Sequence, residues 1–314
     1  VITLCGPPGA GKTTLQALQL MTQQRETDGT RTILLLEDTL EITEVPGVYV
    51  VPVPYRDSEE RDKQLDLALE EVLRSAAQTL CVGEVRSVTA ARMMFRGAQT
   101  GVQVITTVHA LSALGSVARY ARMGVAESDV FDPTINRGAV GQRLLPRLCQ
   151  NCRVPLRAAL SAAEKGTPLP GDRDVARFEM ARERWTGGIA AAARIGGGGD
   201  DQLADARAWS DRIYLRGEGC EACKGHTTAG ASTRARGATG RQPVVEAVLF
   251  DEDLLAALAR GDRRTARARA IDACGLVPMI AHGARLALEG RVSPEDVETS
   301  IGRFGDQAGL AGEL

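Results

Sequence analysis

The run Gly6-Pro7-Pro8-Gly9-Ala10-Gly11-Lys12-Thr13-Thr14 constrains this chain more than any other stretch. It satisfies the phosphate-loop pattern G-x-x-x-x-G-K-[ST]. The apolar run Val1-Ile2-Thr3-Leu4-Cys5 enters it like a buried strand, and a helix-compatible run, residues 14–21, leaves it. Phosphates need backbone N–H groups turned inward, a side chain at the glycine positions would block their approach, and a helix N-terminus adds partial positive charge. Gly6, Gly9, Ala10, Gly11, Lys12, Thr13 and Thr14 are therefore the candidate contacts to a nucleoside triphosphate. Lys12 is expected to reach the β/γ-phosphates, and the Thr13 hydroxyl to ligate Mg²⁺. The bland alternative, an incidental Gly-Pro turn before a helix, does not account for the strand on one side and the helix on the other.

Composition narrows the setting. The chain has 314 residues, 44% of them hydrophobic, which is enough for a sizeable core and more than one domain. A formal net charge of −2 argues against a strongly electrostatic nucleic-acid binder. No apolar run approaches the roughly 18 residues of a membrane span, and no signal peptide is visible. Val1 already stands inside the entering strand, so a fragment lacking an N-terminal part is expected. Seven cysteines in a nucleotide-binding chain point to a reducing compartment, with metal as their first use to test.

Further along, Thr32-Ile33-Leu34-Leu35-Leu36 reads as a second buried strand, ending in Glu37-Asp38-Thr39-Leu40-Glu41. Carboxylates at the C-terminal end of such a strand face the ligand crevice. Glu37, Asp38 and Glu41 could hold Mg²⁺ through water or orient the attacking water; a solvated acidic loop is the alternative. Residues 48–53 look like a strand near a sheet edge, because proline cannot donate to a central ladder. A helix with an apolar stripe follows over residues 58–77. Thr79-Leu80-Cys81-Val82-Gly83 is another buried strand, with Glu84 just beyond it. A lone glutamate there is usually a surface residue; following a phosphate loop by some seventy residues, it is the natural acid to polarise water for attack on the γ-phosphate. Residues 102–108 form a further strand closed by His109. A single histidine more often packs or caps than reacts, but at this strand end it can contact the γ-phosphate. Cys5 and Cys81 read as small core hydrophobes. The alternation of strands and helices implies an α/β fold with a mostly parallel sheet.

Four stretches in order now carry a resemblance: the phosphate loop, Glu37-Asp38-Thr39-Leu40-Glu41, Val82-Gly83-Glu84-Val85-Arg86, and Thr100-Gly101 through Thr107-Val108-His109. Together they resemble the Walker A, Asp box, Walker B and His box of the secretion ATPases, which power type II secretion, type IV pilus assembly and retraction, and type IV secretion. The resemblance implies a RecA-like P-loop core, ATP and Mg²⁺ as cofactors, and a homo-oligomeric ring, a hexamer. It also implies a cytoplasmic protein peripherally associated with the inner membrane through a platform protein. Nucleotide would sit between an N-terminal domain and the domain present here. Gln142-Arg143-Leu144-Leu145 followed by Cys149 looks like that family's lead into a metal site. The chain departs from the pattern at Thr39, where many pilus and type II members have proline, at Gln78, near the place of an acidic residue, and at Ser87, which replaces an aspartate. Arg56 and Arg61 are the candidates for γ-phosphate contacts, with a solvated charged loop as the alternative.

Cys149-x-x-Cys152 and Cys220-x-x-Cys223 form two knuckles whose four thiolates complete a closed tetrahedral Zn²⁺ site. Redox-active dithiols are the competing reading, without a thioredoxin-like unit to house them. His226 reads as a bystander. Between the pairs lies an insert expected to hold a helix over 172–185, then Gly187-Gly188, an alanine-rich run and the flexible linker 196–199; a second low-complexity loop spans 229–240. Residues 243–249 read as a strand. The tail is helical, over 277–289 and in a helix opened by Ser293 as N-cap, Pro294 at N1 and Asp296 at N3. Three segments are thus expected: a P-loop core (1–141), a tetracysteine zinc subdomain (142–241) and a small C-terminal strand and helical module (242–314). Two rival functions remain. A nucleic-acid motor would need a basic, aromatic groove, and 4% of the chain is aromatic, so no direct nucleic-acid partner is expected. A scaffold that binds nucleotide with little turnover would not need Glu84, although Gln78 and Ser87 leave it open.

Overall fold

In the computed structural model the described residues are 1–37, 45–53, 57–169, 174–195, 209–224 and 236–305. Along the chain the elements are β1 (Ile2–Cys5), α1 (Lys12–Glu26), β2 (Ile33–Glu37), β3 (Val48–Pro52), α2 (Ser58–Leu73), β4 (Thr79–Val82), α3 (Val88–Gln99), β5 (Gln103–Val108), α4 (Ala113–Arg122), α5 (Glu127–Val130) and β6 (Gly138–Leu148). There follow β7 (Val154–Pro155), α6 (Leu156–Glu164), α7 (Val175–Arg194), α8 (Trp209–Arg212), β8 (Tyr214–Leu215), α9 (Glu221–Lys224), β9 (Ala238–Leu249), α10 (Glu252–Ala259), α11 (Arg263–Asp272), α12 (Met279–Leu288) and α13 (Pro294–Ser300). Two compact units emerge, both discontinuous in sequence, unlike the three contiguous segments expected. Among the described residues the first joins Val1–Gln142 to Glu246–Leu276, and the second joins Arg143–Val245 to 277–305.

The first unit is built on a sheet in the order β3-β2-β4-β5-β1-β6-β9. All pairings from β3 to β6 are parallel. Its strands are near-continuous apolar runs because both faces are buried. Side chains alternate between the faces: Leu4, Leu35, Cys81 and Ile105 pack with Leu20 of α1. Leu36, Leu80, Val82, Val104 and Val108 join Leu65 and Leu69 of α2, Phe95 of α3 and Tyr120 of α4. Phe95 and Tyr120 meet edge to face at 5.0 Å, and the Tyr120 hydroxyl lies 2.9 Å from Thr3 Oγ1, so its polar end is satisfied inside the core. β3, with Pro52, takes the sheet edge that its sequence called for. Cys5 and Cys81 are buried in the strands.

The second unit packs α7 against α12 around Phe178, Trp185, Ile189, Leu286 and Phe304. Here the structure extends the sequence expectation of a helix stopping before Gly187: the backbone is interrupted there, and a further helical arm follows. α7 runs on to Arg194, with Gly187 at φ 86°. Burial decides it: Ile189, Ala192 and Ala193 lie inside this core, and a Cβ on Gly188 would come within 3.2 Å of Phe304 Cβ. The region expected as a loosely folded insert is thus, over 175–194, a core element, whose second arm is held by tertiary packing beyond the glycine interruption. The linker glycines 196–199, His226 and residues 225–235 lie outside the described residues. Arg184 grips Glu298 with two hydrogen bonds (3.1 and 2.7 Å), and Glu298 Oε1 also accepts the Phe304 N–H at 3.1 Å. At α13, Ser293 and Pro294 take the N-cap and N1 positions, but the capping bond from Ser293 to N3 is not made. The Ser293 hydroxyl donates instead to Glu295 at 3.3 Å, and Asp296 pairs with Arg216.

Candidate nucleotide and metal sites

In parallel register Cys5 of β1 stands opposite Val108 of β5, and Val82 of β4 opposite both Thr106 of β5 and Leu36 of β2. The residues just past these strands, Gly6, His109, Glu84 and Glu37, therefore gather along one edge of the sheet. β5 lies between the strand that feeds the phosphate loop and the strand that precedes Glu84. At ~4.8 Å per strand, the strands leading to loop and acid stand ~10 Å apart.

His109 spans that gap. Its Nε2 lies 2.6 Å from Glu84 Oε1, and its Nδ1 lies 3.5 Å from Lys12 Nζ. The ring thus touches the acid through Nε2 and the lysine through Nδ1. Lys12 also donates to Gly6 O at 3.0 Å, and Arg86 pairs with Glu84 Oε2. The result is a continuous chain of polar contacts, Lys12–His109–Glu84–Arg86, with Glu84 16% exposed at its centre. Two bonds that sequence reasoning missed hold Glu84 there. Thr107 Oγ1 donates to Gly83 O at 2.6 Å, and Val85 N–H donates to Thr107 O at 3.1 Å, so the turn carrying Glu84 is fastened on both sides. Cross-strand partners of this kind leave no local signal in a single sequence.

The loop itself has the expected geometry. Gly11 is the N-cap of α1 at φ 81°, a conformation glycine adopts without steric cost. Lys12, Thr13 and Thr14 open the first turn of α1, where unpaired N–H groups favour an anion. A cleft of about 270 Å³, lined by Gly6, Pro7, Pro8, His109, Ala110 and Leu111, opens beside it. Glu37 is buried at the end of β2, its Cγ 3.4 Å from where a Cβ on Gly83 would stand. Asp38, Glu41 and Arg56 lie outside the described residues, as does the side chain of Arg61, whose backbone is in α2.

In the second unit the four paired cysteines converge. All their sulfur atoms lie within 4.8 Å of one another, with Cys149–Cys220 at 3.7 Å and Cys152–Cys223 at 3.9 Å. These separations are far too long for disulfides, which hold sulfurs about 2.05 Å apart. Each knuckle is a tight turn: Arg153 N–H donates to Cys149 O and Cys223 N–H to Cys220 O, both at 3.0 Å. The backbone N–H of Cys220 pulls the Cys223 thiol down to about 7, while burial and the neighbouring thiols push Cys152 up to about 12. One thiolate is favoured and further ionisation is opposed, the condition that a cation relieves. A Cβ on Gly217 would sit 1.9 Å from Cys152 O, so only glycine lets this strand of chain approach the knuckle.

Comparison with known proteins decides the family. A family model described as type II/IV secretion system protein matches residues 1–299. The chain belongs to that family. Among curated members of the type II/IV secretion system family, it is 32% identical over 154 residues to the type II secretion system protein HxcR of Pseudomonas aeruginosa, covering 49% of this chain and 31% of that protein. It is 35% identical over 153 residues to the putative type II secretion system protein E of Escherichia coli, covering 49% and 29%. To the type IV pilus assembly ATPase PilB of Thermus thermophilus it is 26% identical over 300 residues, covering 95% of this chain and 27% of that one. The chain spans less than a third of the length of these relatives. Its fold is similar to the X-ray structure of the Yersinia pseudotuberculosis ATPase DotB, with a TM-score of 0.56 at 14% identity over 95% of this chain and 56% of the other. Among the described residues of this secretion-system protein, no helix is long and apolar enough to cross a membrane.

Proposed function

We propose that this chain is the ATP-hydrolysing part of a secretion or pilus motor. The observation that carries the reading is the contact chain from Lys12 through His109 to Glu84 across one sheet edge. The loop N–H groups and Lys12 hold the β- and γ-phosphates, and the Thr13 hydroxyl would ligate Mg²⁺, which when bound would neutralise charge on the phosphates. Glu84 accepts a proton from the attacking water and orients it, with Thr107 fixing its approach. His109, in contact with both, links the state of Glu84 to the lysine at the γ-phosphate. Glu37, Asp38 and Glu41 shape the metal surroundings, and Arg56 and Arg61 are the candidate γ-phosphate contacts. Cys149, Cys152, Cys220 and Cys223 would hold one Zn²⁺ as a closed structural site. The working form is a homo-oligomeric ring, a hexamer, at the cytoplasmic face of the inner membrane. Domain movement there acts on a membrane platform protein to move pilin-like subunits or exported protein.

Two substitutions separate a motor from a nucleotide-binding scaffold. In the full-length protein, Glu84→Gln is expected to leave ATP affinity nearly unchanged and to lower turnover by roughly two to four orders of magnitude, the range for a lost general base. Lys12→Ala is expected to weaken binding itself. A Glu84→Gln protein that hydrolyses like the parent would remove Glu84 from its role. A parent that binds ATP without turnover would replace the motor by the scaffold.

A further inference from the structure

Gln142 is a buried polar residue whose place in the sequence suggested only a lead into the first cysteine. In the structure it does something else. It follows Gly141, which stands opposite Cys5 in the β1–β6 register, so it lies beside the point where the phosphate loop leaves its strand. It is 6% exposed. Its side-chain amide nitrogen donates to Ala10 O at 2.7 Å and to Gly11 O at 3.2 Å, which uses both of the protons that nitrogen carries. Its backbone carbonyl presses on the start of the same loop: a Cβ on Gly6 would lie 2.4 Å from Gln142 O. One residue thus leaves room only for glycine at the loop's first position and bonds its last two carbonyls before Lys12.

The consequence follows from peptide geometry. In a trans peptide unit the C=O of one residue and the N–H of the next lie in one plane and point in opposite directions. Ala10 O shares its plane with Gly11 N–H, and Gly11 O shares its plane with Lys12 N–H. Anchoring Ala10 O on Gln142 turns the Gly11 N–H to the side of the loop away from Gln142, and Gly11 O, shared between Gln142 and the Leu15 N–H of α1 at 3.1 Å, turns the Lys12 N–H likewise. A loop with glycine at three positions has wide backbone freedom. Removing it before a ligand arrives is what makes such a cradle bind well.

We propose that Gln142 is a positioning residue for phosphate binding, aiming the Gly11 and Lys12 N–H groups at the β-phosphate of a nucleoside di- or triphosphate. This rests on the reading of the loop as a nucleotide site. The test uses ADP as the probe with full-length protein, and begins with the parent. If the parent does not bind ADP, the nucleotide reading falls and this inference falls with it. Given binding, Gln142→Met keeps the volume and removes the donor, and is expected to weaken ADP on the order of tenfold, the scale of one or two lost hydrogen bonds. Gln142→Asn keeps an amide one methylene short of both carbonyls and carries the same expectation if the methionine variant does not fold. Gln142→Glu supplies the readout that a merely structural role would not move. Ionised, its carboxylate repels the two carbonyls; protonated, it can donate to one of them. Burial raises the pKa of such an acid. Its ADP affinity relative to the parent at each pH should therefore be weakest at pH 8 and recover as the pH falls. A folded methionine or asparagine variant that binds ADP like the parent overturns the proposal. So does a glutamate variant whose deficit is the same at every pH.

Discussion

Replacing Cys149 by serine tests the metal reading most sharply, because the sulfur positions fix what they can hold. Four sulfurs within 4.8 Å of one another, two pairs of them at 3.7 and 3.9 Å, enclose a space of the size a tetrahedral thiolate site needs, in which Zn–S bonds are about 2.3 Å. Zn²⁺ bound by these four cysteines would draw the sulfurs onto one centre and contribute directly to folding. Structural zinc in small finger peptides is worth roughly 10–16 kcal/mol; here the unit also has its own apolar core around Trp185, so the loss should be confined to the knuckles and the β7–β8 pair (Val154 opposite Leu215) that lies close to them in sequence. The assays are metal content and thiol titration on purified, reduced protein, followed by hydrogen exchange. The parent should carry close to one equivalent of zinc and resist thiol reagents at these four residues. Cys149→Ser should lose the metal, expose the other three thiols and speed exchange over residues 145–156 and 213–224, while β1 to β5 keep their protection. A reduced parent that is metal-free, equally stable and fully reactive at all four thiols would refute the reasoning.

Thr107→Val, nearly isosteric, removes the hydroxyl that donates to Gly83 O. It should cost roughly 1–3 kcal/mol in denaturant unfolding and lower kcat with little change in ATP affinity; unchanged kcat would show that Glu84 needs no such fastening. Asp251 caps α10 and pairs with Arg269, and the Arg269 hydrogen bond, assisted by the Leu254 N–H, holds its carboxyl below the usual aspartate value of 3.8. Its contribution is therefore present above that value and lost as the pH falls through the lower folded one. The stability gap between parent and Asp251→Asn, read from urea midpoints, should be open at pH 7 and close below pH 3.8; a gap independent of pH would refute this assignment.

How much of this was legible in the sequence depended on the range of the interaction. Proline at 52 forbids a central ladder position, and β3 is an edge strand. The phosphate loop carries its own turn chemistry in consecutive residues, and the loop and α1 follow from it. Gly187 does interrupt the helical backbone, at φ 86°, but the helical arm beyond it was not legible, because the burial of Ile189, Ala192 and Ala193 is a property of the packed unit. Ser293 was placed correctly as an N-cap, but its hydroxyl had a choice of partners that only the folded position of Glu295 settles. Thr107 and Gln142 were missed as supports for the same reason: each acts on a neighbouring strand or loop through a contact that sequence spacing does not encode.

The division between the units falls inside β6, after Gln142, and inside β9, after Val245. On a ribosome this imposes an order of events. The first unit cannot complete its sheet when residue 142 emerges, because β9, the neighbour of β6, is made only after the intervening stretch of about a hundred residues. At a synthesis rate of about 5–20 residues per second, the edge of β6 stays unpaired for roughly 5–20 s. The first turn of α4 waits as well, since the Ala113 N–H is received by Glu246. For that interval the nascent chain presents an open parallel sheet with an apolar strand at its border, the form most prone to pairing with another chain. Translation speed between the two cysteine pairs, and chaperones that cover an exposed strand edge, should therefore govern the yield of this protein more than its final stability does.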